Sequence, residues 1–400
     1  MRFLFIFCFS LFFNSIGLAQ DIQSKIALYN QKIKKYLLLS SKDSNLVKVN
    51  ETGLVFKKKI LVNWDSLQKI ENLYSIKIKQ QKARLLLQQF SIVPNKPLLG
   101  WKIALDPGHF AGDLQTARIE GKYLQMTLSD STQIEFWESH LAWATAKLLQ
   151  EKLANAGATV MLTRSKPEYT AFESTFKSEY QEYTHRHMYA EQKMRKSMKS
   201  QKTRMPLPQN TFFQVSFKRN ELRKRVEKIN AFQPDLTLIM HYNVDEKNTN
   251  WNKPISKNFS MAFVGGAFEL EDLKEESLDD FVRLMCTQDT EKSISVAQKV
   301  LQFHQQDAKV PIVSLANDQD YLQDKCLYTG VQGVYTRNLL LARAIEGIVC
   351  YGESLLQDSE QEIRRLNEKT LKVGDIYTSP RVLEIAEAYF KGILAYAQNP

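Results

Sequence analysis

The sequence predicts an α/β fold: a mostly parallel twisted sheet with helices on both faces, preceded by a small, mainly helical N-terminal region. Three observations carry this. From Trp101 onward, short apolar runs of strand length alternate with segments of helical period. The strand-like runs Lys102–Leu105, Ala158–Leu162 and "DLTLIM" have the apolar character of strands covered on both sides. Before them, "SIVPNKPLLG" carries two prolines and a glycine and marks a boundary between two differently patterned regions.

The elements follow in chain order. The opening "MRFLFIFCFSLFFNSIGLAQ" has one arginine, an apolar run and a close on small residues, which predicts a signal peptide over residues 1–19. The run is too short to span a bilayer. An exported protein of the periplasm or extracellular cell envelope is therefore expected, with no stable membrane span. Residues 20–98 form an N-terminal accessory region. It is helical at both ends, with a short hairpin expected around Glu51-Thr52-Gly53. Residues 99–400 form the main domain. Glu138 to Ala156 is a helix with Leu141, Thr145, Leu148, Leu149, Leu153 and Ala156 as its apolar stripe, and Gly157 supplies a left-handed stop. Asn220 to Asn230 is a basic helix; after Pro234 a buried strand ends at His241. Two long segments interrupt the pattern, at about 166–217 and 245–292, the second with a strand candidate in "FSMAFVGGAF".

Composition narrows the function class. A hydrophobic content of 44% with 24% charged residues is ordinary for a globular chain. The net charge of +10 favours an anionic partner, but much of the excess lies between Lys193 and Arg204. No nucleic-acid-binding motif accompanies it, so no nucleic-acid partner is expected. Beyond the signal peptide only Cys286, Cys326 and Cys350 remain, without the spacing of a thiolate metal site.

Histidine and glutamate carry the chemistry. In open parallel sheets functional groups gather beyond the carboxyl ends of the strands. Of the six histidines, His109 in "WKIALDPGHFAGD" and His241 both follow strands directly. A hydrolytic zinc site needs about three ligands and an open position. Glu138, in the first turn of its helix, is the expected third ligand. His140 sits about 200° further round that helix and cannot share a metal with it; Glu135 and Glu120 compete less well because neither begins the helix. Glu353, just past a strand expected over Ile348–Tyr351, is the candidate catalytic proton carrier. Glu346 is the alternative, at the other end of that strand.

These stretches resemble the zinc-dependent N-acetylmuramoyl-L-alanine amidases, the bacterial cell-wall amidase catalytic domain. "IALDPGHFAG" is similar to the family's Asp-Pro-Gly-His opening, and "ESHLAWATAKLLQEKLANAGATVMLTR" to its ligand-bearing helix and following strand. "RVEKINAFQPDLTLIMHYN" resembles its helix and His-x-Asn strand, and "GIVCYGESLLQDSEQEIRRL" its strand bearing the catalytic glutamate. The resemblance implies Zn2+ held by His109, Glu138 and His241, with Glu353 catalytic. It also implies peptidoglycan as the substrate, cleaved at the amide between N-acetylmuramic acid and L-alanine; substrate-binding residues stay unassigned. The chain departs from the family pattern in three places. Phe110 stands where the family favours glycine, Glu138 follows His109 by 29 residues, and "GESLLQD" replaces the usual sequence around the glutamate. The altered segment around Glu353 and the two long segments keep open a catalytically impaired peptidoglycan-binding protein with an amidase-like fold. The length of those two segments also keeps open an insertion that gates the site until a regulatory protein partner moves it. The oligomeric state is left open.

Overall fold

The structure, a computed structural model, describes residues 22–40, 42–89, 96–110, 112–197, 205–248, 253–274, 276–314 and 320–398. The signal peptide expected over residues 1–19 lies outside them, as does part of the basic segment between Lys193 and Arg204. No helix among the described residues is long and apolar enough to cross a membrane.

The N-terminal region opens with α1 (22–32), which runs into a π turn at Ile33–Leu37. Strands β1 (Val47–Asn50), β2 (Gly53–Phe56) and β3 (Lys59–Asn63) then form an antiparallel sheet, followed by α2 (Trp64–Gln89). The single expected hairpin is therefore a three-stranded meander. Its second turn is Lys57-Lys58, both in the left-handed region at φ 47° and 73°. A turn of this hand matches strand twist, but it usually announces itself as Asn-Gly or Asp-Gly. Two lysines gave no such signal.

The main domain is built on seven strands: β4 (Lys102–Pro107), β7 (Thr159–Leu162), β8 (Leu236–Asn243), β9 (Met261–Gly265), β10 (Cys326–Tyr328), β11 (Val334–Arg337) and β12 (Val349–Leu356). Their order is β10-β11-β9-β12-β8-β4-β7. Four neighbouring pairs are parallel; β9 against β12 and β10 against β11 are antiparallel. The carboxyl ends of β4, β8 and β12 thus share one edge of a mostly parallel sheet. The strand candidate of the segment at 245–292 takes a central place, as β9 between β11 and β12.

Between β4 and β7 lie α3 (Leu114–Glu120), the hairpin of β5 (Tyr123–Thr127) with β6 (Gln133–Trp137), and α4 (Glu138–Asn155). The 29-residue interval between His109 and Glu138 is occupied by this helix and hairpin. Next come α5 (Phe176–Ser197), α6 (Gln209–Phe212) and α7 (Lys218–Phe232), then α8 (Glu276–Cys286), α9 (Asp289–Gln306), α10 (Asp320–Lys325) and α11 (Leu340–Ala344). The chain closes with α12 (Glu360–Asn367), the small hairpin of β13 (Leu371–Val373) and β14 (Ile376–Thr378), and α13 (Arg381–Gln398).

Helices cover both faces. Leu149 of α4, Val300 of α9 and Ile393 of α13 pack with Leu105, Leu238 and Cys350 on one side. Ile229 of α7 and Leu341, beside Ile345, cover Ala104, Ile239 and Val349 on the other. The N-terminal region is tied to the main domain through Leu37, Leu38 and Tyr29, which share a cluster with Phe268 and Phe281. Backbone bonds reinforce that seam: Leu39 N–H donates to Phe268 O and Ala267 N–H to Tyr36 O, both at 2.9 Å.

The close approach of α13 to α9 on the first face depends on Gly392. A β-carbon there would lie 2.7 Å from the Cα of Val300, a backbone atom that cannot swing aside. In an isolated helix Gly→Ala stabilises by about 1 kcal/mol. Here the sign reverses: Gly392→Ala is expected to lower the unfolding free energy by about 1–3 kcal/mol, as measured by urea denaturation.

Candidate metal centre

The site begins where β4 ends. Parallel pairing sets Pro107 beside Met240, and Gly108 N–H donates to Met240 O at 2.8 Å. A β-carbon on Gly108 would lie 2.6 Å from both the His241 ring and Met240 O, so only glycine lets the two strand ends approach this closely. His109 then takes a left-handed backbone, φ 63°. For a residue with a side chain this conformation costs roughly 1–3 kcal/mol and needs outside support.

Support comes from buried charge. Arg225 of α7 donates to Pro107 O at 2.9 Å and to His109 O, and contacts both Asp106 oxygens at 3.3 Å. Glu221, one turn earlier, accepts from Arg225 Nε at 2.8 Å. On the other side Arg164 donates to Gly108 O at 3.1 Å. All four ionic side chains are buried. Such a group resists loss of one member, because the remaining charge is left without compensation at a cost of about 3–5 kcal/mol.

The loop carries His109 to Glu138, the first residue of α4, and to His241 in β8. His109 Nε2 is 2.8 Å from Glu138 Oε2, His241 Nδ1 is 3.0 Å from Glu138 Oε1, and the two ring nitrogens are 3.1 Å apart. Glu138 is fixed by Tyr242 N–H at 3.0 Å and by the Gln357 amide at 3.3 Å. His241 lies flat against Tyr351, with ring centroids 4.5 Å apart at 10°. Among the described residues, these three form the one group of histidine, cysteine or carboxylate side chains that could hold a metal ion.

The donor set fits such an ion. Tetrahedral bonds of about 2.0–2.1 Å, as zinc makes to nitrogen and oxygen, separate neighbouring donors by about 3.3 Å. Each ring reaches its own Glu138 oxygen, at 2.8 and 3.0 Å, and one donor atom from each of the three residues lies within 4.8 Å of the other two, a spacing that a shared ion of this size can bridge. Two imidazoles and a carboxylate are also the ligand chemistry zinc favours.

Charge among the site's own side chains is distributed accordingly. Burial lowers the His241 imidazole to about 4. Burial acts the same way on His109, but the Glu138 and Glu120 carboxylates outweigh it and raise that ring to about 9. Burial works to raise Glu138, yet the His109 charge and hydrogen bonds from both rings hold it well below the usual carboxylate range.

Glu353 was expected just past a strand ending at Tyr351. Instead β12 runs on to Leu356, because β8 extends to Asn243 and offers backbone partners that far. Glu353 lies within the strand, directly opposite His241. It lines the same cavity of about 440 Å³ as His109, Glu138 and His241. Burial, with the Glu138 carboxylate nearby, raises its carboxyl to about 8. A carboxyl that titrates near neutrality can both take and return a proton. Lys122, Lys218 and Arg337 add positive charge to the cavity lining.

The competing residues lie elsewhere. Glu346 pairs with Lys77 of α2 at 2.6 Å, at the start of β12. Glu135 accepts from Gln125 at 3.0 Å on the β5–β6 hairpin. His140 stacks on Trp137, with ring centroids 5.0 Å apart. Glu120 is different: its Oε1 is 2.7 Å from His109 Nδ1, on the side of the ring away from the donor triangle. Sequence reasoning treated Glu120 only as a rival ligand and passed over Gln357, an amide just past the end of β12 with no spacing signal.

Phe110 has a packing reason. It meets Phe213 and Phe217 edge-on at 5.2 and 5.7 Å, under the Arg225 guanidinium at 5.3 Å. Phe176 closes the cluster against both phenylalanines. The first long segment thus rests its aromatic hub on the residue next to His109.

The family model for N-acetylmuramoyl-L-alanine amidase matches residues 103–370, more than half of the chain. Solved structures similar to this chain include three cell-wall amidases. The CwlD amidase from Clostridioides difficile, solved in complex with the GerS lipoprotein, is 16% identical over 75% of this chain and 100% of its own, with a TM-score of 0.39. Ami1 from Mycobacterium abscessus is 13% identical over 74% and 99%, with a TM-score of 0.40. The catalytic domain of CwlV from Bacillus (Paenibacillus) polymyxa var. colistinus is 11% identical over 75% and 99%, with a TM-score of 0.39. No curated protein sequence matches. On the strength of the sequence match, the chain belongs to the N-acetylmuramoyl-L-alanine amidase family, the peptidoglycan amidases of the bacterial cell wall.

Proposed function

We propose that the chain is an exported, zinc-dependent amidase that cleaves the bond between the lactyl group of N-acetylmuramic acid and L-alanine of the stem peptide. One observation carries this reading: the donor atoms of His109, Glu138 and His241 converge within 4.8 Å of one another, in a cavity that Glu353 also lines. Zinc bound there supplies Lewis-acid polarisation of the scissile carbonyl and lowers the pKa of water to ~7.

The chain's own residues do the rest. Glu353 accepts the proton of the attacking water and delivers it to the departing alanine amine, so the leaving group departs neutral. Burial of the centre strengthens each of these charge interactions. Lys122, Lys218 and Arg337 suit a stem peptide that carries carboxylates. The shared cavity of Glu353 and the donor triangle weighs against a catalytically impaired binding protein. The apolar run near the N-terminus supports export to the periplasm or the extracellular envelope.

Purified protein incubated with muropeptides is expected to release intact stem peptides, identified by mass. A chelator abolishes this and added zinc restores it; cleavage within the peptide, or release that ignores the chelator, contradicts the reading. His109→Ala and His241→Ala are each expected to lose bound zinc on metal analysis. Glu353→Gln keeps the zinc and lowers kcat by roughly 10²–10⁴-fold, with KM little changed; full activity in that variant removes Glu353 from the mechanism.

A further inference from the structure

Among the described residues that line the cavity, Glu120 is the one carboxylate besides Glu138 and Glu353. It is the last residue of α3, a short helix defined at both ends. Asp113 caps its start by accepting from Thr116 N–H at 2.7 Å, and Gly121 closes it in the left-handed conformation. The side chain is buried, at 6% exposed, and each oxygen has a task. Oε1 meets His109 Nδ1 at 2.7 Å, and Oε2 accepts from Phe110 N–H at 3.3 Å. One carboxylate therefore grips the ring of His109 and the peptide that follows it, across a residue held at φ 63°.

We propose that Glu120 is a positioning residue that sets the tautomer and orientation of His109 and thereby the affinity of the site for its metal. This rests on the zinc reading of the centre given above. With its proton on Nδ1 facing Glu120, the His109 ring must present the Nε2 lone pair to the triangle. A carboxylate on the outer nitrogen of a ligating histidine fixes the ring and makes the inner nitrogen a stronger donor. His241 needs no such partner for its orientation, because Tyr351 holds that ring by stacking. The extra helix α3 between His109 and Glu138 thus acquires a purpose: its last residue brings a second glutamate to the first histidine.

The test is zinc affinity, measured by competition with a chelator on the intact protein, with circular dichroism and thermal melting recorded alongside. Glu120→Ala is expected to bind zinc roughly 10–100-fold more weakly. Glu120→Gln keeps the volume and one acceptor but loses the charge, and its affinity is expected to fall between alanine and wild type. It also guards against an alanine variant that fails to fold. A folded Glu120→Gln protein that binds zinc as tightly as wild type overturns the proposal, since a merely structural glutamate changes the melt and not the affinity. If wild type binds zinc without cleaving muropeptides, the functional reading fails and the role of Glu120 stands. If wild type binds no zinc, both fail.

Discussion

The pairing of β4 with β8 is the constraint on which the rest of the site depends. In this register Pro107 lies beside Met240, and the next residue must pass within van der Waals distance of the His241 ring. Glycine permits that passage, and His109 follows with its ring nitrogen 3.1 Å from that of His241. Shifting the register by one residue would turn every side chain of the strand to the opposite face and separate the two histidines. The sheet builds the donor triangle, and the loops adapt to it.

Holding the loop at β4 in place requires buried charge, which a core normally avoids. Asp106, Arg225, Glu221 and Arg164 form a compact group whose members bond one another or the backbone carbonyls of residues 107–109. Replacement by apolar groups could yield an equally stable core. It would, however, remove the donors that fix the carbonyls on either side of the left-handed histidine. Phe110 and the aromatic hub of the first long segment seal the outside of this loop. The segment thus buttresses the centre by direct contact.

Much of this was legible in the sequence. The strand–helix alternation from Trp101 gave the mostly parallel sheet. Asp-Pro-Gly-His, the first turn of α4 and the end of "DLTLIM" pointed to His109, Glu138 and His241, because strand and helix ends are where periodicity breaks. Other features were hidden for physical reasons. The Lys57-Lys58 turn used residues that rarely take a left-handed backbone. The true length of β12 depended on how far β8 ran beside it, which no local window contains. Glu120 looked like a poorer rival to Glu138, since its value comes from a contact made only when the end of α3 lies against His109. Phe110 looked anomalous until its partners, about a hundred residues later, were beside it.

The central claim is that one divalent ion is held by His109 Nε2, Glu138 and His241 Nδ1 next to Glu353. Anomalous X-ray scattering at the zinc edge, from crystals of the zinc-loaded protein, tests it most directly. The account predicts a single strong peak about 2.0–2.2 Å from those two nitrogens and a Glu138 oxygen, with His109 Nδ1 still bonded to Glu120. A peak coordinated by His109 Nδ1, or one lying away from this triangle, would contradict it.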